Sequence, residues 1–403
     1  MIELNKIYQA KQKIADFAIK TPFTHSSFLS ELCQASVYLK NENLQITGAY
    51  KIRGAYNKIA NLNLEQKKAG VIAASAGNHA QGVAISAKKF DIEAIIVMPE
   101  STPLLKVSAT KNLGAKVILK GDNFDEAYIF ATNYAKEHGL VFIHPFEDEF
   151  VMAGQGTLML EMLDDVSDLD TIIIPVGGGG LISGVASAAK QINPNIKIIG
   201  VSAKGAPAMY ESFHSKKAKN SKSVRTIADG IAVRDVNSIN LNIILESVDE
   251  FVQVDDKEIA NAVLFLLEKH KIIVEGAGAS AVAALLHHKI NLKDSKKIGV
   301  ILSGGNIDVQ MLNIIIEKGL SKAHRKMKIN VTLIDKPGAL LELTDSLKSA
   351  NANIIKIDYD RFSTQLDYGD AMISITLETK GREHQEEVRK ILNDKGFNFT
   401  ESI

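Results

Sequence analysis

The chain has 403 residues, 46% hydrophobic and 23% charged, which suits two or three globular domains with sizeable cores. Lys+Arg and Asp+Glu balance at 47 each, with no long basic run and no aromatic-interleaved basic patch, so nucleic acid and anionic membrane are disfavoured as partners. Cys33 is the only cysteine, which excludes an intrachain disulfide and fits a cytoplasmic protein; the polar start Met1–Lys6 is unlike a signal peptide, and no apolar stretch approaches membrane-spanning length.

Ile7, Ala10, Ile14 and Phe17 recur at helical spacing and predict an amphipathic helix over residues 5–18. Lys51 follows in Thr47-Gly48-Ala49-Tyr50-Lys51-Ile52-Arg53-Gly54-Ala55; alone, a lysine reads as a solvated surface charge. Short apolar runs at Val71–Ala74, Ala94–Met98, Lys116–Leu119, Thr171–Val176, Lys197–Ala203 and Lys297–Leu302 read as buried strands. Between them, Gln81–Phe90, Leu104–Leu113, Phe124–His138, Ile182–Ile192 and Ile259–His270 read as helices. Repeated strand–helix–strand units predict parallel sheets covered on both faces, and too many units for one small sheet. Two α/β lobes flanking a cleft follow.

Three loops at strand ends are chemically notable. Ser75-Ala76-Gly77-Asn78-His79 joins a strand to a helix; taken singly, Asn78 would be a helix N-cap. Gly177-Gly178-Gly179-Gly180-Leu181 lies between a strand and a helix, where backbone N–H groups and the helix end can bind an anion. The same glycine run also fits a close-packed strand-to-helix turn, and the absence of a following Lys-Ser or Lys-Thr disfavours a Walker-type nucleotide loop. Ser303-Gly304-Gly305-Asn306 follows the last strand, where Ser303 singly would be a turn serine.

The texture then changes. Ser321–Lys326 reads as a basic connector, followed by a strand over Lys328–Asp335, a Lys336-Pro337-Gly338 turn and a helix over Leu340–Ala350. Strands at Asn353–Tyr359 and Ala371–Leu377, a helix at Glu383–Leu392 and a last extended segment complete a βαββαβ order.

Taken together and in this order, the motifs around Lys51, Asn78, the four glycines and Ser303 resemble those of fold-type-II pyridoxal-phosphate enzymes. Within that group they resemble threonine dehydratases (threonine ammonia-lyases), colinear over about residues 1–320. The resemblance implies a two-lobed parallel-sheet fold, with a small lobe at about residues 41–146 inserted in the larger. It implies pyridoxal 5′-phosphate joined to Lys51, whose released amine then moves the substrate's α-proton. Gly177, Gly178, Gly179, Gly180 and Leu181 would take the phosphate, Asn78 the ring oxygen and Ser303 the pyridine nitrogen. Ser75, Ala76, Gly77, Asn78 and His79 would bind the substrate carboxylate, with Phe146, Gly230 and Glu275 near the cofactor; singly, Glu275 would be an exposed helix-start carboxylate. Arg53 and the His79 ring read as structural. Ala49-Tyr50 departs from the family's usual Ser-Phe before the lysine.

Residues 326–403 resemble an ACT domain, with an effector expected at Asp335, Pro337, Gly338, Ala339 and Leu340 and assembly as a homodimer or homotetramer. The implied activity is β-elimination of L-threonine to 2-oxobutanoate and ammonia, with L-serine slower. Serine racemase is the alternative, but the second serine of the racemase-type loop is Ala76 here, which cannot transfer a proton. Racemase-type relatives also place acidic metal ligands where Val201–Pro207 offers no carboxylate, so no metal is expected. A non-catalytic amino-acid-binding regulator is the third reading. Isoleucine, valine and AMP remain open as effectors, as does a role in isoleucine biosynthesis against a catabolic one.

Overall fold

The computed structural model describes residues 1–402. The chain divides into two compact units, residues 1–308 and the residues from Val309 onward.

The first unit holds two sheets. A six-stranded sheet runs in the order Phe23–His25, Ser36–Asn41, Lys297–Leu302, Thr171–Pro175, Lys197–Ala203, Glu250–Val254. Every pairing is parallel except that of the first two strands. A four-stranded, wholly parallel sheet runs Lys116–Leu119, Ala94–Met98, Val71–Ala74, Val141–Phe142. This second sheet lies within the residues expected for the small lobe. Its central strands are completely buried, as their unbroken apolar runs require. Lys116–Leu119 differs from expectation: it is the edge strand, so its outer residues stay exposed.

Several elements carry no clear sequence pattern yet position the site. The helix Glu149–Asp165 is buried from Val151 through Met162, so no polar face interrupts it. It runs between the Lys51–Ala60 and Gly180–Ile192 helices, meeting both through glycines. A Cβ on Gly154 would come 2.5 Å from the Arg53 carbonyl oxygen, and one on Gly184 would come 2.1 Å from that of Met152. Only bare backbone allows this approach.

Beside that crossing lies a buried ionic cluster. Arg53, fully buried, donates to both Glu42 carboxylate oxygens (2.8 and 2.9 Å) and both of Glu161 (2.6 and 3.0 Å). The Lys40 amine donates to Glu161 at 2.6 Å and to the Thr21 carbonyl at 2.7 Å. Two cations and two carboxylates thus neutralise one another in the interior, the condition under which buried charge is tolerated. Arg53 is therefore a structural ion partner, as its sequence setting implies. Cys33 is half-buried, and burial pushes its thiol up to about 11, so it stays protonated.

The second unit opens with the helix Val309–Lys322, so the expected connector Ser321–Lys326 is shorter than its sequence suggests: only Ala323–Arg325 lies between this helix and the strand Lys326–Ile334. The βαββαβ order follows, with helices Ala339–Ser349 and Arg382–Asp394. Its four-stranded antiparallel sheet runs Asn353–Asp360, Asp370–Glu378, Lys326–Ile334, Asn398–Ser402. Alternate residues such as Ile329, Val331, Ile373 and Ile375 face Leu343, Leu347, Val388 and Leu392 in a core of its own.

Candidate active site

Lys51 is the first residue of its helix. The backbone before it is laced to the Ser303 loop: the Tyr50 N–H donates to the Ser303 carbonyl at 3.1 Å, and the Gly305 N–H to that of Gly48 at 2.8 Å. The helix start also packs closely on the Asn78–Lys89 helix, where a Cβ on Gly82 would lie 3.2 Å from the Ile52 nitrogen. The Lys51 Nζ donates to the Pro145 carbonyl at 2.8 Å. Desolvation pushes its pKa down to about 8, against the opposing pull of Glu275, so the amine is poised between charged and nucleophilic forms.

The Ser75–His79 loop leaves the end of the small lobe's central strand. The next helix begins at Asn78 with Gly77 at the cap and no side-chain cap bond, so Asn78 is not an N-cap. Its amide instead donates to Glu275 Oε1 at 2.8 Å. A Cβ on Gly77 would meet nothing within 4 Å, so the loop borders open space. The His79 ring turns inward: Nε2 lies 2.8 Å from the Ile143 carbonyl, which can only accept, so Nε2 carries the proton. Burial, reinforced by nearby Lys51, pushes this imidazole down to about 3, which leaves it neutral. Only the backbone of His79 remains for a ligand.

Glu275 caps the Gly276–Leu286 helix by position but makes no side-chain cap bond. Its carboxyl is drawn into the site, and desolvation raises its pKa to about 7 despite the Asn78 hydrogen bond. A Cβ on Gly230 would lie 3.1 Å from Glu275 Oε1, and one on Gly304 2.7 Å away. The carboxylate, Asn78 and both glycines thus share one neighbourhood.

The glycine loop is closely packed on its Cβ side. A Cβ on Gly177 would meet Ile231 at 2.7 Å, and one on Gly178 the Phe146 ring at 2.5 Å. Gly179 has φ +90°, a conformation that side chains avoid. The Asn240 amide fixes the loop, donating to the carbonyls of Gly178 (2.7 Å) and Phe146 (3.0 Å). Beyond the loop the helical ladder begins with the Ser183 N–H on the Gly179 carbonyl, at 2.9 Å. The first-turn N–H groups ahead of it have no helical partner, an arrangement that suits an anion. The sequence alone accommodates either a tight turn or a phosphate cradle; the geometry accommodates both at once. Ser303 lies 3% exposed directly after its strand.

Asn240, His144 and Asn306 have no individual role in the sequence reading. His144 Nδ1 accepts from the Glu147 N–H at 2.8 Å, and burial, with Lys51 adding to it, pushes its pKa down to about 4. No motif or spacing marks Asn240 or His144; Asn306 ends a recognisable loop.

A family model for pyridoxal-phosphate dependent enzymes matches residues 14–304. The chain belongs to this pyridoxal-phosphate-dependent family. Pyridoxal 5′-phosphate is its cofactor, and the residues present fit it: a desolvated lysine amine, a row of loop N–H groups, an amide donor and a buried hydroxyl. Among relatives, the L-threonine ammonia-lyase of Thermotoga maritima is 47% identical over 397 residues, 98% of each chain. The structure is similar to that of maize serine racemase (TM-score 0.75, 37% identity, 80% of this chain and 99% of that one). It is also similar to the processed form of threonine deaminase isoform 2 from Solanum lycopersicum (TM-score 0.73, 38% identity, 78% and 94%).

Proposed function

We propose that the chain is a threonine ammonia-lyase, converting L-threonine to 2-oxobutanoate and ammonia and L-serine, more slowly, to pyruvate and ammonia. The observation that carries this reading is the Lys51 amine, held at pKa about 8 beside the Asn78–Glu275 pair. The 98% coverage shared with a relative named for this activity supports it.

Bound pyridoxal phosphate supplies the electron sink that makes the substrate Cα–H acidic. The N–H groups of Gly177–Leu181 would hold its phosphate, Ser303 would meet its ring nitrogen and Asn78 its ring oxygen. A hydroxyl at the ring nitrogen, unlike a carboxylate, does not force that nitrogen to stay protonated. A sink so weakened would favour prompt loss of the β-hydroxyl. The Ser75–His79 backbone orients the substrate carboxylate. Lys51 takes the Cα proton from one face, while Ala76 offers no proton carrier on the other.

Incubation of the holoenzyme with L-threonine tests this reading: 2-oxobutanoate and ammonia should appear in equal amounts. With L-serine, pyruvate should far outpace D-serine. D-serine formed as fast as pyruvate would favour the racemase instead, and no turnover of a protein with bound cofactor would favour a binding protein.

The C-terminal unit serves in this reading as an ACT-type regulatory and assembly domain of a cytoplasmic homodimer or homotetramer. Its Asp335–Leu340 turn, with Tyr359 and Arg361, borders a cavity of about 360 Å³. Tyr359 donates to Asp335 at 2.9 Å, and the Arg361 guanidinium lies 3.2 Å from the same carboxylate. Paired charges of both signs suit a small zwitterionic effector. The edge strand Asn353–Asp360 exposes Ile355, Ile357 and Tyr359, which suits pairing with a second copy.

A further inference from the structure

Asn306 links three of the loops that build the site. Its Nδ2 lies 2.7 Å from the Thr47 carbonyl, in the segment leading to Lys51, and 2.7 Å from Asn78 Oδ1. The Asn78 Nδ2 in turn donates to Glu275 at 2.8 Å. The sense of this relay is fixed from both ends. A backbone carbonyl can only accept, so Asn306 must turn its NH₂ toward Thr47 and Asn78. Asn78 must therefore present its oxygen to Asn306 and its NH₂ to Glu275, whose carboxyl accepts whether ionised or protonated. Asn306 commits both of its N–H bonds. Asn78 commits one, which leaves a single N–H for an acceptor in the cleft.

The backbone is shaped for this arrangement. Gly48 has φ +70°, and a Cβ there would sit 2.7 Å from Asn306 Oδ1. Any other residue at 48 would push the Asn306 amide away. Although Asn306 is exposed, its loop is anchored by the Gly305-to-Gly48 hydrogen bond of 2.8 Å.

We propose that Asn306 is a positioning residue: it fixes the orientation of the Asn78 amide so that the remaining N–H, not the carbonyl, faces the cofactor's ring oxygen. This rests on the assignment of Asn78 to that oxygen. A ring oxygen that is partly or wholly anionic requires a donor, and an Asn78 amide turned end for end would offer it a carbonyl instead.

The test is a double-mutant cycle read by cofactor binding. Apoprotein of the wild type, Asn306→Ala, Asn78→Ala and the double variant is titrated with pyridoxal phosphate, following visible absorbance. Losing one hydrogen bond that orients a ligand group should loosen binding by ~3–10-fold in Asn306→Ala and shift the absorption maximum. In the Asn78→Ala background the same substitution should change binding by less than ~2-fold, because its effect passes through Asn78. Asn306→Asp keeps the shape but replaces the donor with an acceptor, so it should loosen binding more than Asn306→Ala and serves if the alanine variant folds poorly. Equal loosening by Asn306→Ala in both backgrounds would overturn the proposal, since Asn306 would then act through the Thr47 loop alone. Unchanged binding in Asn306→Ala, with Asn78→Ala loosened, would overturn it as well while leaving Asn78 at the cofactor. Unchanged binding in Asn78→Ala itself would overturn the underlying assignment of Asn78, and this proposal with it.

Discussion

At the residue scale the decisive group is a lysine made unlike other lysines by its surroundings. Desolvation lowers Lys51 to about 8. Attack on an aldehyde needs the neutral amine, whose fraction rises with pH. Reattachment of pyridoxal phosphate to the apoprotein should therefore accelerate from pH 7 through about 8 and level off above, as stopped-flow absorbance would show; a rate still climbing without a plateau beyond pH ~9 would contradict the lowered value. Ala76 belongs to the same scale. Introducing a hydroxyl by Ala76→Ser should raise D-serine formation from L-serine relative to pyruvate, measured by chiral chromatography, and no change would show that face selectivity has another origin. The glycines, Asn78 and Ser303 stand out in the sequence because each follows an apolar strand run, whereas Lys51, at a helix start, stands out only through the order of motifs around it. Glu275 is less so: a carboxylate at a helix start is ordinarily solvated, and only the folded chain shows it bonded to Asn78 with its pKa raised to about 7.

At the scale of elements, strands built on continuous apolar runs, such as Val71–Ala74 and Ala94–Met98, are legible nearly to the residue, whereas the short or mixed strands Phe23–His25, Ser36–Asn41, Val141–Phe142 and Glu250–Val254 carry no such run and are not. Nor are the helices Glu149–Asp165 and Gly276–Leu286. Both are buried around most of their circumference, so neither has the polar face that produces a helical period. The edge strand Lys116–Leu119 read as fully buried because composition does not reveal strand order. The glycine-lined helix crossings imply a specific cost. Gly184→Ala would place a methyl 2.1 Å from the Met152 carbonyl oxygen, backbone against backbone, forcing the helices apart. Overpacking of this kind should lower stability by ~1–3 kcal/mol, seen as a lower denaturation midpoint. An unchanged midpoint would show that the crossing relaxes freely.

At the scale of the whole molecule, two features concern integrity and control. The Arg53 cluster joins the lysine helix to the turn just before it, through Glu42, and to the Glu149–Asp165 helix, through Glu161. Arg53→Met leaves two buried carboxylates facing only Lys40 and should destabilise the first unit by ~3–5 kcal/mol in denaturant titrations. A smaller effect than that of Gly184→Ala would contradict the cluster's structural role. In the proposed reading, the second unit carries regulation. Velocity curves of the full chain should shift with one of isoleucine, valine or AMP by ~5–150-fold in apparent affinity, the usual allosteric range. Arg361→Ala, which removes the cation beside Asp335, should abolish that shift and leave basal turnover intact; identical curves for both proteins would place control elsewhere.

Borohydride reduction of the holoenzyme followed by peptide mass mapping tests the central assignment most directly. The phosphopyridoxyl adduct should fall on the peptide containing Lys51, and Lys51→Ala should lose the adduct, the visible absorption of the bound cofactor and ammonia release together. An adduct on a different lysine, or threonine turnover that survives in Lys51→Ala, would contradict the account.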